Sequence, residues 1–236
     1  GLKFAAQFRA ADATKAVESD PTKEMAGTVS IEFPAVGKLT MGDSEGAAQA
    51  AVTQFVALGY NELDKYQEFA FLTGGSTSKG NDLLYTYANG PLSVSLSMGN
   101  PGAAESSVSA GSGYTTKDDR AIGVSYTTEF WKVAAGFEDN GVNQHTVLSG
   151  SYGNGQAEVK VAYGMKDDDT DQYVVYGTYI LGLNTLTAFY REDFAEVANQ
   201  GFSVQHDFGS GLAAHAGFAR KEGLDSRMSL GVTMAF

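Results

Sequence analysis

The stretch LLYTYANGPLSVSLSMG, residues 83–99, alternates large apolar side chains with small or polar ones on both sides of a tight turn. In its second half Leu92, Val94, Leu96 and Met98 fall on one face, and serines fall on the other. A period of two is typical of a β-strand whose two faces meet different surroundings. Residues 83–99 therefore predict two antiparallel strands joined by a short turn.

The same alternation continues outward from this hairpin in both directions. It predicts about fourteen strands of roughly 7–11 residues, the length that a tilted strand needs to cross hydrocarbon. Short and long connections alternate along the chain, as they do in an up-and-down barrel with tight turns at one rim and larger loops at the other. We predict an all-β, transmembrane, antiparallel up-and-down β-barrel that forms one domain over residues 1–236.

The composition excludes several classes of protein. The chain has 236 residues, 29 glycines, no cysteine and a formal net charge of -12. An acidic chain without a basic stripe is not expected to bind nucleic acid. The absence of cysteine excludes disulfides and cysteine–zinc sites. No apolar run approaches the roughly 18 residues of a spanning helix, which excludes a helical membrane protein but not a membrane barrel.

The two faces of the strands favour a membrane barrel over a soluble one. A barrel of this many strands is too wide for side chains to fill, so its interior must hold water. Charged residues in mid-strand, Lys132, Glu138, Glu158 and Lys160, suit a wet lumen. Aromatic residues near strand ends on the apolar faces resemble the girdles found at membrane interfaces. These aromatic residues are Tyr85, Tyr87, Tyr126, Phe130, Trp131, Tyr152, Tyr176, Tyr190 and Phe208.

Residues 44–80 interrupt the strand pattern. A connection of this length is usually functional or disordered, and this one contains too many large apolar side chains to remain in water. Its first part predicts a short helix, capped by Asp43 or Ser44, propagated by the alanine-rich run 47–51 and ended by Gly59. We expect the segment to fold into the barrel as a constriction loop.

Four segments together resemble the alphaproteobacterial, Rhodobacter-type general-diffusion porins. They are GKLTMGD (37–43), GYNELD (59–64), LLYTYANGPLSVSLSMG (83–99) and LGVTMAF (230–236). The resemblance implies a sixteen-stranded, water-filled outer-membrane barrel, assembly as a homotrimer and a loop that narrows the lumen. It also implies that Phe236 is the barrel-assembly terminus. The family begins about one hairpin before Gly1, so we expect either a fragment or, less readily, a natural fourteen-stranded barrel.

Charged residues on the loop and on strands near it in sequence are candidates for the pore lining. Facing charges of opposite sign bias which ions enter a pore. The alternative is that some of the carboxylates only attach the loop to the wall by salt bridges. The acidic candidates at the constriction are Glu45, Glu62, Asp64 and Glu68, and the basic candidates on the pore wall are Lys3, Arg9 and Lys38.

Other motifs carry less chemistry. KDDDTDQ (166–172) lacks the spacing of an EF-hand, so we interpret it as a solvated acidic loop, with divalent cations such as calcium as the alternative. TGGSTSKG (73–80) has the wrong spacing for a phosphate loop. His145, His206 and His215 lie on separate strands without metal-ligand spacing. No cofactor is expected.

The leading hypothesis is a passive porin in the outer membrane of a Gram-negative bacterium, weakly cation-selective and permeable to small hydrophilic solutes. Its expected partners are outer-membrane lipid, lipopolysaccharide and two further copies of the chain. The alternatives are an outer-membrane barrel hydrolase with a Ser/His or Asp/His site at the rim, and a soluble β-barrel that binds an apolar ligand. No GxSxG motif supports the hydrolase.

Overall fold

The computed structural model describes residues 2–8, 27–42, 44–54, 68–73, 81–99, 119–224 and 226–235. These ranges contain one short helix and fourteen strands, the number that the alternation predicts. The strands are β1 (Lys3–Phe8), β2 (Gly27–Phe33), β3 (Gly37–Gly42), β4 (Asn81–Asn89), β5 (Leu92–Gly99), β6 (Arg120–Thr127), β7 (Trp131–Asp139), β8 (Gln144–Gly153), β9 (Ala157–Lys166), β10 (Asp171–Leu181), β11 (Asn184–Glu192), β12 (Ala198–Gly209), β13 (Leu212–Lys221) and β14 (Arg227–Met234).

Each strand pairs with the next one along the chain, so the sheet has the order β1 to β14. The pairings are antiparallel where their register is defined, as between β9 and β10, where Lys160 lies opposite Tyr176. Several connections are two-residue turns, which need a left-handed residue that glycine adopts at little cost. Gly182, between β10 and β11, has a φ of 61°. Within the described residues, the order has two ends, β1 and β14.

The chain divides into two compact units, which are taken separately below. Unit 1 comprises residues 1–51, 71–124 and 136–145, and unit 2 comprises residues 52–70, 125–135 and 146–236. In unit 1, Ser95 and Ser97 of β5 are buried, whereas Leu96 and Met98 are 47% and 45% exposed. This is the reverse of a soluble sheet, in which the apolar face is buried. The apolar face of β5 is therefore the exposed one, as the prediction of a lipid-facing strand requires.

Unit 2 repeats this arrangement. On β9, Val159 and Val161 are exposed while Lys160 is buried. The polar face, defined here as the face of each strand that carries the buried small, polar or charged residues, is thus the covered one. Tyr176 was expected in the exposed aromatic girdle, but it is 2% exposed and lies opposite Lys160 in the register. That prediction is wrong, because Tyr176 belongs to the polar face of β10.

The helix α1 (Ala47–Val52) contains the predicted alanine run, but it begins two residues later than a cap at Ser44 implies and ends earlier than predicted, while Asp43 lies outside the described residues. The predicted end at Gly59 lies outside the described residues, and the residue after Val52 is already Thr53, which adopts a left-handed conformation with a φ of 64°. Its first amide, that of Ala47, donates to the hydroxyl of Ser97 at 2.9 Å, so a side chain of the sheet satisfies it. In the ranges given above, no helix is both long enough and apolar enough to cross a membrane.

Candidate functional site

In unit 1, α1 packs directly against two glycines of the polar face, Gly123 and Gly136, which are called the glycine contact below. A β-carbon added at Gly123 would lie 2.2 Å from the carbonyl oxygen of Ala47 and 2.6 Å from the β-carbon of Ala51. A β-carbon at Gly136 would lie 2.6 Å from that of Ala48. Since such separations are well below van der Waals contact, only glycine fits at either position. The alanine run thus supplies both helix propensity and a surface small enough to touch the sheet.

The second attachment in unit 1 is the carboxylate of Glu138, on the polar face of β7. The backbone amides of Leu72 and Thr73 donate to it at 2.9 and 3.2 Å, and the Thr73 hydroxyl donates at 2.8 Å. Nδ1 of His145, from β8, lies 2.8 Å from Oε2, the oxygen that also accepts from Leu72. A buried carboxylate is stable only when hydrogen bonds or counter-charges replace its water. Glu138 therefore holds residues 72 and 73 of the loop against the sheet.

This cluster has the residue types of a hydrolase but not their arrangement. In a hydroxyl–imidazole–carboxylate triad, the imidazole lies between the nucleophile and the acid. Here the carboxylate of Glu138 lies between the hydroxyl of Thr73 and the ring of His145, and all three residues are buried. The cluster can bind the loop, but it cannot activate the hydroxyl through the imidazole.

In unit 2, two glutamine side chains clamp consecutive residues of the returning loop. The amide of Gln172, from β10, accepts from the backbone nitrogen of Ala70 at 3.0 Å and donates to its carbonyl at 2.7 Å. Gln54 makes the same pair of bonds with Phe69, at 3.2 and 2.9 Å. Buried backbone groups outside regular structure need partners, and these two side chains supply them for residues 69 and 70.

The third attachment in unit 2 is the ammonium group of Lys160. It donates to the carbonyl and the hydroxyl of Thr53 at 2.7 and 2.9 Å, and to the carbonyl of Gln54 at 3.1 Å. A β-branched residue in the left-handed region is strained by about 1–3 kcal/mol and persists only where its surroundings enforce it. The three bonds from Lys160 provide that enforcement and fix the end of α1.

Among the predicted basic residues, Lys3 and Lys38 lie on the two strands that flank Glu32 of β2. Glu32 is opposite Lys3 in the β1–β2 register and opposite Lys38 in the β2–β3 register. Nζ of Lys3 lies 2.8 Å from Oε1 of Glu32. All three share the face of the buried Ser30 and are accessible to solvent, so they can contribute charge to that face.

The acidic candidates are only partly described. Glu45 and Glu68 are exposed loop residues, and Glu68 is attracted electrostatically to Arg191 of β11. No ion pair among the residues that the structure describes joins Glu45 to Lys3 or Lys38. The remaining candidates, Glu62, Asp64, Arg9 and Phe236, lie outside the described residues.

Several functional residues have no local signal in the sequence. Lys160 is separated by 107 positions from Thr53, and Gln172 by 102 positions from Ala70. Alternation places these side chains on the polar face, but it does not identify which ones contact the loop. Arg191 is a further buried cation of that face. Only the register could have grouped these residues.

Hydrogen bonds within the acidic segment 166–172 occupy one of its carboxylates. The hydroxyl and the amide of Thr170 donate to Oδ1 of Asp168, and these bonds hold the pKa of that carboxyl below its usual range. The hydroxyl of Tyr163 donates to Asp171 at 3.0 Å. In the described part of the chain, no group of three or more His, Cys, Asp or Glu residues is arranged to hold a metal ion.

Comparisons with known proteins converge on one family. A sequence model described as Gram-negative porin matches residues 1–226. A porin from Rhodobacter capsulatus is 32% identical over 146 residues, which cover 58% of this chain and 44% of that relative. The matched stretch thus spans less than half the length of that curated relative.

Solved porin structures share the fold along the whole chain. A porin refined at 1.8 Å resolution aligns with a TM-score of 0.76 at 23% identity, covering 100% of this chain and 92% of the other. A mutant of the Rh. blastica porin aligns with a TM-score of 0.72 at 15% identity, covering 100% of this chain and 85% of the other. These likenesses confirm the predicted fold class.

Proposed function

The chain belongs to the Gram-negative porin family, whose model matches residues 1–226, and we propose on that premise that it forms a water-filled diffusion channel. The channel admits ions and small hydrophilic solutes across the outer membrane without chemical conversion. Residues 1–236 form one barrel domain in this proposal. Family membership confirms the resemblance to porins and the outer-membrane location, and it argues against the hydrolase, since porins are channels.

The observation that carries the proposal is the inverted burial of the strands. Large apolar residues such as Leu96 and Val161 are exposed, while polar-face residues such as Ser97, Glu138 and Lys160 are buried. Exposed apolar side chains are favourable in hydrocarbon and unfavourable in water. A lipid-facing exterior with a polar interior accounts for both halves of the pattern.

The loop 44–80 is proposed to narrow this channel. Its described parts contact polar-face residues within each unit, among them Ser97, Gly123 and Glu138 in unit 1 and Lys160 and Gln172 in unit 2. A loop attached to the wall by many separate bonds leaves little freedom to swing aside. The passage is therefore set by a fixed constriction rather than by an open lumen.

Weak cation selectivity is a further part of the proposal. It is supported by the exposed acids Glu45 and Glu68 on the loop and by the net charge of -12. Negative charge near a constriction raises the local cation concentration. Replacing both acids in Glu45→Gln/Glu68→Gln should bring the reversal potential in a KCl gradient closer to zero. The matched double variant Glu129→Gln/Glu196→Gln, in exposed turns, should not; equal shifts in both would contradict the assignment.

The assembly of the chain and its surroundings are further parts of the proposal. The porins that this chain resembles are homotrimers, and we propose a homotrimer here, embedded in outer-membrane lipid and lipopolysaccharide. The exposed apolar residues on the outer faces of both units support contact with lipid. Chemical cross-linking in outer-membrane vesicles, read on denaturing gels, should end at the mass of three chains; a ladder that stops at two would overturn the trimer.

The test of the channel itself is conductance and solute flux. The refolded full chain should insert into a planar bilayer in discrete steps of ohmic current. Liposomes that contain it should swell in small sugars and amino acids, and more slowly as solute size increases. A protein that binds lipid but gives neither stepwise current nor swelling would refute the proposed function.

A further inference from the structure

Unit 2 contains a recess on its polar face that the proposed channel does not by itself require. It is a cavity of about 200 Å³. Its walls come from β7 to β10, and its remaining side comes from the end of α1 and the two residues after it. The lining residues used below are Lys132, Ser149, Ser151 and Glu158.

The recess contains two ammonium groups, and one of them has no counter-charge or hydrogen-bond acceptor among the described residues. Lys160 also lines it, but its ammonium group is engaged by three oxygen atoms of Thr53 and Gln54. Lys132 is half-buried and, within the described part of the chain, makes no hydrogen bond or ion pair. The two ammonium groups repel each other, and Glu158 offsets only one of them. An anion next to Lys132 would relieve this repulsion, because opposite charges stabilise each other most strongly where solvent is partly excluded.

The remaining lining selects the kind of anion. The hydroxyls of Ser149 and Ser151 can donate to the oxygens of a carboxylate that Lys132 attracts. The one ammonium charge that Glu158 leaves uncompensated matches a monocarboxylate better than a divalent inorganic anion. A cavity of this volume has room for about seven waters at ~30 Å³ each, and hence for a solute of about six heavy atoms.

We propose that this recess is a binding site for small organic monocarboxylates, with the carboxylate at Lys132, Ser149 and Ser151. The inference deepens the proposed function, on which it rests, by naming a class of solute that pauses at the channel wall. Lys160 and Glu158 complete the recess but act mainly on the loop and on the local charge.

Butyrate is the probe. The refolded full chain in detergent is titrated with carboxyl-labelled ¹³C-butyrate, and binding is followed by the chemical shift and line width of the label. Lys132→Gln should weaken binding about tenfold, the value of one charge-assisted hydrogen bond. Lys132→Arg, which keeps the charge, should remain within about threefold of the wild type on the same scale. Lys166→Gln is the matched control, since Lys166 lies on the same strand as Lys160 and outside the recess.

Each outcome decides the inference. Butyrate binding that depends on Lys132 and not on Lys166 supports it. Absence of saturable binding, or equal binding by Lys132→Gln, overturns it. Inorganic phosphate that displaces butyrate at equal or lower concentration would overturn the assignment to carboxylates. Conductance of the same preparation in KCl separates the two claims. A protein that conducts but does not bind butyrate refutes only the binding site in the recess. A protein that does not conduct refutes the proposed channel, whether or not it binds butyrate.

Discussion

Nδ1 of His145 lies 2.8 Å from Oε2 of Glu138, and both side chains are completely buried between the sheet and the loop. Together with the donors from Leu72 and Thr73, the imidazole completes the hydrogen bonding of a carboxylate that has no access to solvent. Residues 72 and 73 of the loop are therefore held in unit 1 by one acidic side chain, whereas α1 packs against the glycines.

Removing the charge of Glu138 should detach this part of the loop. Glu138→Gln keeps the volume but turns one acceptor atom into a donor that faces other donors, so we expect a loss of at least about 2 kcal/mol in the free energy of unfolding. Denaturant titration of the refolded protein in detergent, followed by tryptophan fluorescence, measures it. Glu158→Gln, at an exposed carboxylate without a hydrogen bond among the described residues, should change stability by less than about 0.5 kcal/mol. Equal stability of the two variants would show that Glu138 is not an anchor.

The glycine contact between α1 and the sheet predicts that a larger side chain at Gly123 is not tolerated. Gly123→Ala places a methyl group within 2.2 Å of the Ala47 carbonyl oxygen, so α1 must move away from the wall. We expect a destabilisation of about 1–3 kcal/mol, as for overpacked cores, and noisier open-channel current. Gly150→Ala is the control, because a β-carbon there meets nothing within 4 Å. If Gly123→Ala matched Gly150→Ala in free energy of unfolding and in current noise, the role of the glycine contact would be refuted.

The strained end of α1 depends on Lys160. Lys160→Met removes the three hydrogen bonds to Thr53 and Gln54 while keeping an apolar stem of similar length. We expect amide exchange in residues 47–54 to accelerate at least about tenfold, since losing a charge-assisted hydrogen bond of ~1.4 kcal/mol or more favours local opening to that extent. Hydrogen exchange with mass spectrometry measures it. Lys166→Met should leave the exchange of this peptide unchanged; if both variants exchange alike, Lys160 does not support the helix end.

How far the sequence predicts this protein depends on whether the deciding contacts are local. The serine and leucine faces of β5 are visible in eight residues, so the strand, its neighbour and its orientation follow directly. β10 shows where this fails. In QYVVYGTYIL both faces carry tyrosine and aliphatic residues, so a period of two could not assign Tyr176 to the polar face. Tyr176 is assigned to the polar face because it pairs with Lys160, and this pairing depends on the register between β9 and β10.

The loop shows the same limit more sharply. The alanine run predicts the start of α1, because helix propensity acts over neighbouring residues. Its end could not be predicted, because Thr53 is held in an unfavourable conformation by a lysine more than one hundred positions away. Gly59 was the better local signal, and the tertiary contact overrides it. Likewise, acids in the loop were visible as charges, but Glu138 as its anchor was not.

The turn at Asp168 provides a pH-dependent prediction. Because the Thr170 hydroxyl and amide stabilise the carboxylate, the pKa of Asp168 lies below its usual value. The stabilisation is therefore present above the unfolded pKa and is lost as pH falls through the folded pKa. Thr170→Val should raise the pKa of Asp168, and Thr170→Ser, which keeps a hydroxyl, should restore it. Carboxyl ¹³C titration of both variants measures this; an unchanged pKa in Thr170→Val would contradict the role of the hydroxyl.

The central claim is that the apolar faces of the strands meet lipid while the polar faces meet water. The chain has no native cysteine, so single cysteines can be introduced on β9 as Glu158→Cys, Val159→Cys and Val161→Cys. The most direct measurement is modification of these variants in a conducting bilayer by a charged, water-soluble thiol reagent. We predict rapid reaction and a stepwise fall in current for Glu158→Cys, and no reaction for the two valine positions. Rapid reaction at Val159 and Val161, with protection at residue 158, would contradict this account.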